Sequence, residues 1–419
     1  MDLVEASTLP SGWELRSVEQ VCVRVTSGGT PSRSVPAFYV GGTWSWVKTQ
    51  ELQDRWLTET EEHITDEALQ RSSAKVLPEN TILMAMYGAT VGKLGLLGRS
   101  MTCNQACCAL IVDDRVADFR FVYYSLLSAR RKIVNLAVGA AQQNLSAATI
   151  KTFRFGFPRL IEQQRIASIL GAFDDKIELN RKMTATLDSS ARALFKSWFV
   201  DFDPVRAKSE GRNTGLPSEI AARFVDSFED SALGSIPAGW HVEPLAAAAK
   251  ISGGKQLASP ECQPHGLYPV FGANGVMGFA ERTTHNAFVI IFGRVGANCG
   301  TINWAYNGCW INNNATGIEP MHWPEYFLQA ILNVDFTPMR AGSAQPFIPN
   351  SALSSLPLLR PPDYLLTVFC ELVRPMRLRE QLLHSESRTL AAIRDALLPK
   401  LISGALRVRD AERLVEQVV

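Results

Sequence analysis

Few residues in this 419-residue chain have the types and spacing that chemistry demands. The run Gly88-Ala89-Thr90-Val91-Gly92-Lys93-Leu94-Gly95 invites comparison with a phosphate-cradling loop. Such a loop needs four residues between its first Gly and the Gly-Lys pair, then Ser or Thr to reach magnesium. Here three intervene and Leu94 follows the lysine, so the run reads as a Gly-rich turn between strands. Its counterpart, Gly293-Arg294-Val295-Gly296-Ala297-Asn298-Cys299-Gly300, also lacks a phosphate-loop pattern. Cys103, Cys107 and Cys108 cluster without a Cys-x-x-Cys pair or a nearby histidine, whereas tetrahedral zinc needs four close ligands. The eight cysteines therefore read as free, buried thiols in a reducing compartment. His63, His241, His265, His285, His322 and His384 show no His-Glu-x-x-His spacing, and no Gly-x-Ser-x-Gly elbow appears. What remains is the chemistry of recognition: amide and cationic side chains in polar turns.

The elements that would carry those turns occur twice. Leu9-Pro10-Ser11-Gly12-Trp13 is echoed by Ile236-Pro237-Ala238-Gly239-Trp240. Gly139-Ala140-Ala141-Gln142 is echoed by Gly342-Ser343-Ala344-Gln345, and Pro158 by Pro361, both at a spacing of 203 residues. The same spacing carries Leu187 to Leu390, Leu194 to Leu397 and Trp198 to Leu401. Two copies are too few for a solenoid but suit two similar halves that touch two places on one extended ligand.

Residues 9–158 read as a mixed α/β globule. Strand-like runs such as Val21–Val25 and Thr81–Met86 alternate with turns at Ser27-Gly28-Gly29-Thr30-Pro31, Gly41-Gly42 and Pro78-Glu79-Asn80. Phe119 to Ile133 reads as one helix with Arg130, Arg131 and Lys132 in its last turn, where cations complement the helix dipole; phosphate contact is the competing reading. In the second copy, Ser252-Gly253-Gly254 matches Ser27-Gly28-Gly29, and Asn313-Asn314-Ala315 matches Asn104-Gln105-Ala106. Thr43 to Leu69 has no visible counterpart around Gln263 to Thr284.

From about Glu162 to Val200 the pattern turns helical. Ile166, Leu170, Phe173, Ile177, Leu187, Ala191, Leu194 and Trp198 fall on alternating spacings of three and four, the seam of a coiled coil, with Asn180 and Thr184 as polar members that fix register. Gly171 weakens its first turns. The second copy gives Leu372, Met376, Leu383, Leu390, Leu397 and Leu401, with Glu380 and Arg394 in seam positions. Pro375 should start or kink that helix, Pro399 should bend its far end, and Gly404 should close it.

The fold class expected is α/β (α+β): two similar mixed globules and two long helices that pair as an antiparallel coiled coil with pseudo-twofold symmetry. The divisions are a first globule at 1–160, a helix at 161–202, a solvated connector at 203–235, a second globule at 236–361, a helix at 362–405 and a tail at 406–419. The connector has a short helix from Pro217-Ser218-Glu219-Ile220. With 46% apolar residues the chain buries ordinary cores, and no apolar run is long enough for a membrane span. The start Met1-Asp2-Leu3-Val4-Glu5 lacks the layout of a secretory signal, so a cytoplasmic location is expected. A net charge of +1 argues against tight nucleic-acid binding by this chain alone.

The order globule, long helix, globule, long helix resembles the specificity subunit of type I restriction–modification systems. The segments that carry the resemblance are Phe195-Lys196-Ser197-Trp198-Phe199-Val200-Asp201-Phe202-Asp203-Pro204-Val205, Ser231-Ala232-Leu233-Gly234-Ser235-Ile236-Pro237-Ala238-Gly239-Trp240 and Leu397-Leu398-Pro399-Lys400-Leu401-Ile402-Ser403-Gly404. Asn104-Gln105-Ala106-Cys107-Cys108 and Gly139-Ala140-Ala141-Gln142-Gln143-Asn144-Leu145 are similar to recurrent motifs of its recognition domains. The resemblance implies a non-catalytic subunit whose two domains each read one half of a split, asymmetric sequence in double-stranded DNA, with the helices as a ruler for the spacer. It implies methylation subunits, two of them, docked on the chain and carrying S-adenosylmethionine. It also implies restriction subunits that supply ATP- and magnesium-dependent chemistry, with no cofactor or metal on this chain.

Base edges are read most distinctively in the major groove, by Asn or Gln for adenine and Arg or Lys for guanine. The candidates are Arg33, Lys48, Gln50, Lys93, Gln142, Gln143 and Asn144 in the first globule. In the second they are Lys255, Gln256, Arg294, Asn298, Arg340 and Gln345. For each, a solvated or turn-stabilising role competes. Two other readings stand beside this one: a coiled-coil scaffold that joins two protein-binding modules, and an enzyme with a site hidden between halves.

Overall fold

The computed structural model describes residues 2–3, 9–137, 144–296, 298–342 and 346–416. They divide into two compact units, one of residues 1–180 with 384–419 and one of residues 181–383.

The globule of the first unit is built from β1 (Glu14–Ser17), β2 (Cys22–Ser27), β3 (Trp44–Val47), β4 (Arg55–Leu57), β5 (His63–Ile64), β6 (Ile82–Ala85), β7 (Leu94–Leu97), β8 (Thr102–Cys103), β9 (Cys107–Val112) and β10 (Arg154–Phe157). A five-stranded sheet has the order β2-β9-β6-β7-β4, a three-stranded sheet the order β5-β3-β8, and β1 pairs with β10. All four residues of β6 are buried, as a central strand covered on both faces requires. The stretch expected as one helix over Phe119–Ile133 is two, α1 (Phe119–Ser128) and α2 (Arg130–Ala137). Arg130, Arg131 and Lys132 therefore begin a helix rather than end one, where the dipole disfavours cations. Arg130 is compensated by Asp54, whose carboxylate it grips with both terminal nitrogens, and Lys132 donates to the Leu3 carbonyl at 2.9 Å.

Helix α3 (Leu160–Phe199) follows, 40 residues without a break, about 60 Å long at 1.5 Å per residue. It passes unbroken through Gly171, where a Cβ would press on the Arg120 guanidinium, which pairs with Asp175 at 2.9 Å.

The second unit corrects the expected solvated connector. Residues 203–209 form α4 (Asp203–Ser209), Ser218–Ala221 is a further short helix, and Val205 and Phe224 are buried in the unit's main core. Next come β11 (Phe228–Ser231), β12 (Gly234–Pro237), β13 (His241–Pro244), β14 (Ala249–Gly253), β15 (Tyr268–Gly272), β16 (Gly275–Ala280), β17 (Val289–Gly293), β18 (Ile302–Ala305), β19 (Trp310–Ile311), β20 (Ala315–Pro320), α5 (Pro324–Leu332) and β21 (Pro357–Arg360). The four-stranded sheet β14-β20-β17-β18 repeats β2-β9-β6-β7, and β13-β21 repeats β1-β10. The parallel pair β15-β19 also repeats β3-β8, so the Thr43–Leu69 region does have a counterpart. Two bonded residues per strand are too few to leave a pattern in sequence.

The final long helix, α6 (Asp363–Ile402), is also 40 residues and unbroken. Neither Pro375 nor Pro399 ends it. Pro375 and Glu371, whose carbonyl loses its donor, are both exposed, so water can take the vacant acceptor. Gly404 closes the helix at φ 72°, the left-handed conformation of a C′ glycine. The expected tail is packed: Val408–Glu416 is helical, and Val408 and Ala411 are buried.

Within the first unit α3 and α6 run antiparallel, since Asp174 pairs with Arg394 while Asn180 bonds Glu386 at 3.0 Å and Ser387 at 3.3 Å. Ile166, Leu170 and Phe173 pack in one core with Leu390, Leu397 and Leu401, and Ile177 joins it half-buried. Within the second unit Phe195 and Trp198 meet Phe369 at ring centroids of 6.0 and 6.1 Å, with Leu194 half-buried beside them. Leu383 is buried and Leu187 half-buried. Leu372 is not in the seam: it is 40% exposed, and its neighbour Val373 takes the buried place.

Candidate nucleic-acid interface

In each globule five loop segments meet at one end of the sheets, and the same backbone hydrogen bonds stitch them together. In the first, Gly28 N donates to Cys107 O, Gly29 N to Cys103 O, Asn104 N to Val47 O, Met86 N to Ala106 O and Leu145 N to Met86 O, at 2.8–3.2 Å. In the second, Gly254 N donates to Ala315 O, Lys255 N to Ile311 O, Asn312 N to Phe271 O, Arg294 N to Asn314 O and Ile348 N to Arg294 O, also at 2.8–3.2 Å. This correspondence moves the sequence match by one residue: Gly28 answers to Gly254 and Asn104 to Asn312. Likewise the turn after β6 answers to Gly296–Gly300, since Gly92 N donates to Ala85 O as Gly300 N does to Gly293 O.

Glycine at the first of these positions is dictated by space. A Cβ on Gly28 would stand 2.6 Å from the Cys103 carbonyl carbon, and one on Gly254 would stand 2.6 Å from that of Asn312. Gly88, Gly92, Gly296 and Gly300 hold positive φ, so the turn after the central strand can be tight.

The candidate side chains sort into those that build this frame and those that it displays. Arg33 and Lys48 both reach Glu62, at 2.6 and 3.0 Å, and hold its carboxyl below the usual range. Arg33 also lies over the Tyr39 ring at 4.4 Å, and Lys48 bonds Glu61 at 2.9 Å. Lys93 pairs with Asp54 at 3.2 Å, beside Arg130. Arg294 donates to the Asn313 carbonyl at 3.0 Å, and Arg340 to the Cys299 carbonyl at 2.9 Å, so each clamps a loop. Five candidates remain exposed with no side-chain partner among the described residues: Gln50, Asn144, Lys255, Gln256 and Asn298. Gln142, Gln143 and Gln345 lie outside the described residues.

Several displayed groups were not among the candidates. Gln105, whose amide oxygen accepts from Thr30, and the exposed pair Asn313 and Asn314 project from the turn before β9 or β20. Tyr87, 40% exposed, and Phe347, 42% exposed, flank the same face. The Asn-Gln and Asn-Asn runs were visible as a repeat; their amides become contact candidates only once the turn is seen to point outward.

The electrostatics fit an incomplete site. In the first globule the loop-face cations are matched by Glu61, Glu62 and Asp54, so little net charge is left to neutralise phosphates. No group of three or more metal-binding side chains occurs among the described residues. Burial pushes the Cys22 and Cys108 thiols up to about 12, which keeps them protonated and unreactive. Among the described residues no helix is long and apolar enough to cross a membrane.

Residues 10–189 match the family model described as the type I restriction modification DNA specificity domain. The chain is 24% identical to the type I restriction enzyme MjaIX specificity subunit of Methanocaldococcus jannaschii, over 96% of this chain and 95% of that one. It is 23% identical to the EcoprrI specificity subunit of Escherichia coli, over 86% of this chain and 85% of that one. The crystal structure of a type I restriction–modification S subunit from M. genitalium shares the fold at TM-score 0.61 and 19% identity, covering 95% of this chain and 98% of that one.

Proposed function

Because this chain belongs to the family of type I restriction–modification DNA specificity subunits, a non-catalytic component that recognises DNA, we propose that each of its globules reads one half of a bipartite, asymmetric site. One observation carries the proposal. The two loop faces share a hydrogen-bond frame yet display different groups at matching places: Gln105 and Asn313, Tyr87 and Val295, Asn144 and Phe347, Gly29 and Lys255. A common frame with unlike side chains serves two unlike half-sites. The amides suit adenine, whose N6 and N7 take a two-pronged contact, and Lys255 suits guanine.

In this reading α3 and α6 set the spacer and dock methylation subunits, which carry S-adenosylmethionine, and restriction subunits join with ATP and magnesium. The near-neutral loop face of the first globule supports that division, since phosphate contacts on partner chains would then add to the affinity. A scaffold without DNA specificity predicts no such pair of unlike, outward-facing amide turns.

The test is an exchange of residues 9–158 for those of another specificity subunit, followed by sequencing of the methylated sites. One half of the site should change and the other stay. A change in both halves, or in neither, refutes the assignment.

A further inference from the structure

The seam between α3 and α6 carries charge in an ordered way. Asp174 of α3 pairs with Arg394 of α6, and both side chains are more than four-fifths buried. Asp188 of α3 pairs with Arg377 of α6 at 2.9 Å, and the Arg377 side chain is fully buried. In both buried layers the cross-helix acid belongs to α3 and the guanidinium group to α6; a more exposed pair between them, Lys176 of α3 with Glu386 of α6 at 3.5 Å, has the opposite sense. Tyr124 adds a hydrogen bond to Asp174 at 2.6 Å, and Trp304 lies under Arg377 at 5.1 Å. Three charges have neighbours on their own helix as well: Arg192 beside Asp188, Glu380 beside Arg377, and Asp395 beside Arg394.

The 203-residue repeat decides what these charges would meet in any other pairing. It places Asp174 where Arg377 stands in the second copy. Two α3 helices paired in the same antiparallel register would therefore set Asp188 of one against Asp174 of the other, twice. Two α6 helices would set Arg394 against Arg377, also twice. Several apolar seam positions, by contrast, do repeat, such as Leu187 with Leu390 and Leu194 with Leu397, and would accept either arrangement. Same-helix neighbours soften the clash but persist in every pairing. A buried charge that loses its cross-helix counterion is strongly destabilising, and polar seam residues are known to select partners at a cost in stability.

We propose that the four seam charges select the pairing of α3 with α6 and reject pairing of either helix with a second copy of itself. The partner that each helix surface fits is the other helix type, not its own. The consequence, which rests on the proposed function, is that each helix pair joins a first globule to a second globule, never two alike, so the site read is asymmetric rather than palindromic.

The experiment uses the full chain in three forms: Asp174→Arg with Asp188→Arg, Arg377→Asp with Arg394→Asp, and all four together. Thermal melting and light scattering after gel filtration give stability and oligomeric state, and neither depends on DNA. Each double variant should lose about 10 °C in its melting midpoint or fail to remain soluble. The fourfold variant should recover more than half of that loss, and co-expression of the two double variants should yield a soluble 1:1 complex. The proposal falls if the double variants melt and elute as the parent does, if either forms a stable dimer with itself, or if the fourfold variant is no better than the doubles. A failed half-site exchange with these results intact would overturn only the reading of DNA.

Discussion

Gly254→Ala should unfasten one recognition face and leave the other alone. The new Cβ would stand 2.6 Å from the Asn312 carbonyl carbon and 2.7 Å from Ile311 O, backbone atoms that cannot swing aside as a side chain can. To relieve the contact the loop must give up bonds from Gly254 N to Ala315 O, Lys255 N to Ile311 O and Asn312 N to Phe271 O, now 2.8–3.0 Å. Each is worth about 0.5–1.5 kcal/mol net, so the loss is about 2–4 kcal/mol. For a unit of this size that lowers the melting midpoint by about 5–15 °C. Gly253→Ala is the internal control: its nearest foreign atom would be Asn350 Nδ2 at 3.9 Å, and the change should fall within about 1 kcal/mol of neutral. Calorimetry of both variants measures the difference, and methylation by the assembled complex reads the consequence. Gly254→Ala should impair only the half-site assigned to the second globule. If it melts with the parent and methylates normally, or if Gly253→Ala is equally damaging, the crowding argument is wrong.

Other outcomes follow from single contacts. Asn313→Ala should change stability by less than about 0.5 kcal/mol yet relax one base position in the second half-site by about 1–3 kcal/mol, seen as degenerate methylation there. Burial lowers the His285 pKa against the pull of Glu319 at 3.6 Å, with Lys250 and Lys255 adding to the lowering. The imidazole is neutral in folded and unfolded chains above 6.5, so its stability contribution is complete there and is lost as pH falls and the unfolded chain gains the proton. Melting of the second unit should therefore drop between pH 7.5 and 5.5, less steeply in His285→Gln; an equal slope in both would show that His285 plays no part. Gly171→Ala should be nearly neutral: about 1 kcal/mol of helix propensity is gained, while the exposed Arg120–Asp175 pair, worth no more than that, is disturbed. A loss above about 2 kcal/mol by chemical denaturation would mean that Arg120 cannot move.

The long helices were legible because a helix writes its buried face into local spacing. Ile166, Leu170 and Phe173 are four and three residues apart, and Leu390, Leu397 and Leu401 seven and four, whatever surrounds them. The duplication was legible through similar short segments in the same order, with the helix positions at one fixed spacing of 203 residues. Where spacing fails, the sequence misled. Pro375 breaks a local rule, but the strand of contacts from Leu366, Phe369 and Val373 into the core holds the helix through it. Leu372 looked like a seam residue and Val373 did not, because a one-residue shift cannot be resolved where two apolar residues are adjacent.

The recognition faces depended on tertiary structure. Loops of unequal length between matched strands shift the numbering, so the equivalence of Gly28 with Gly254 and of Asn104 with Asn312 exists only in the hydrogen bonds. The sequence nominated Arg33, Lys48, Lys93, Arg294 and Arg340 by charge; only the fold shows that each also meets Glu62, Asp54 or a loop carbonyl. Gln105, although Thr30 bonds its amide oxygen, and Asn313 became displayed groups because the turn that carries them leaves both exposed. Chain order alone fixed the rods and the twofold repetition, because both follow from periodicity; the fold decided which atoms are left free to meet a ligand, because that is settled by contacts between residues distant in the chain.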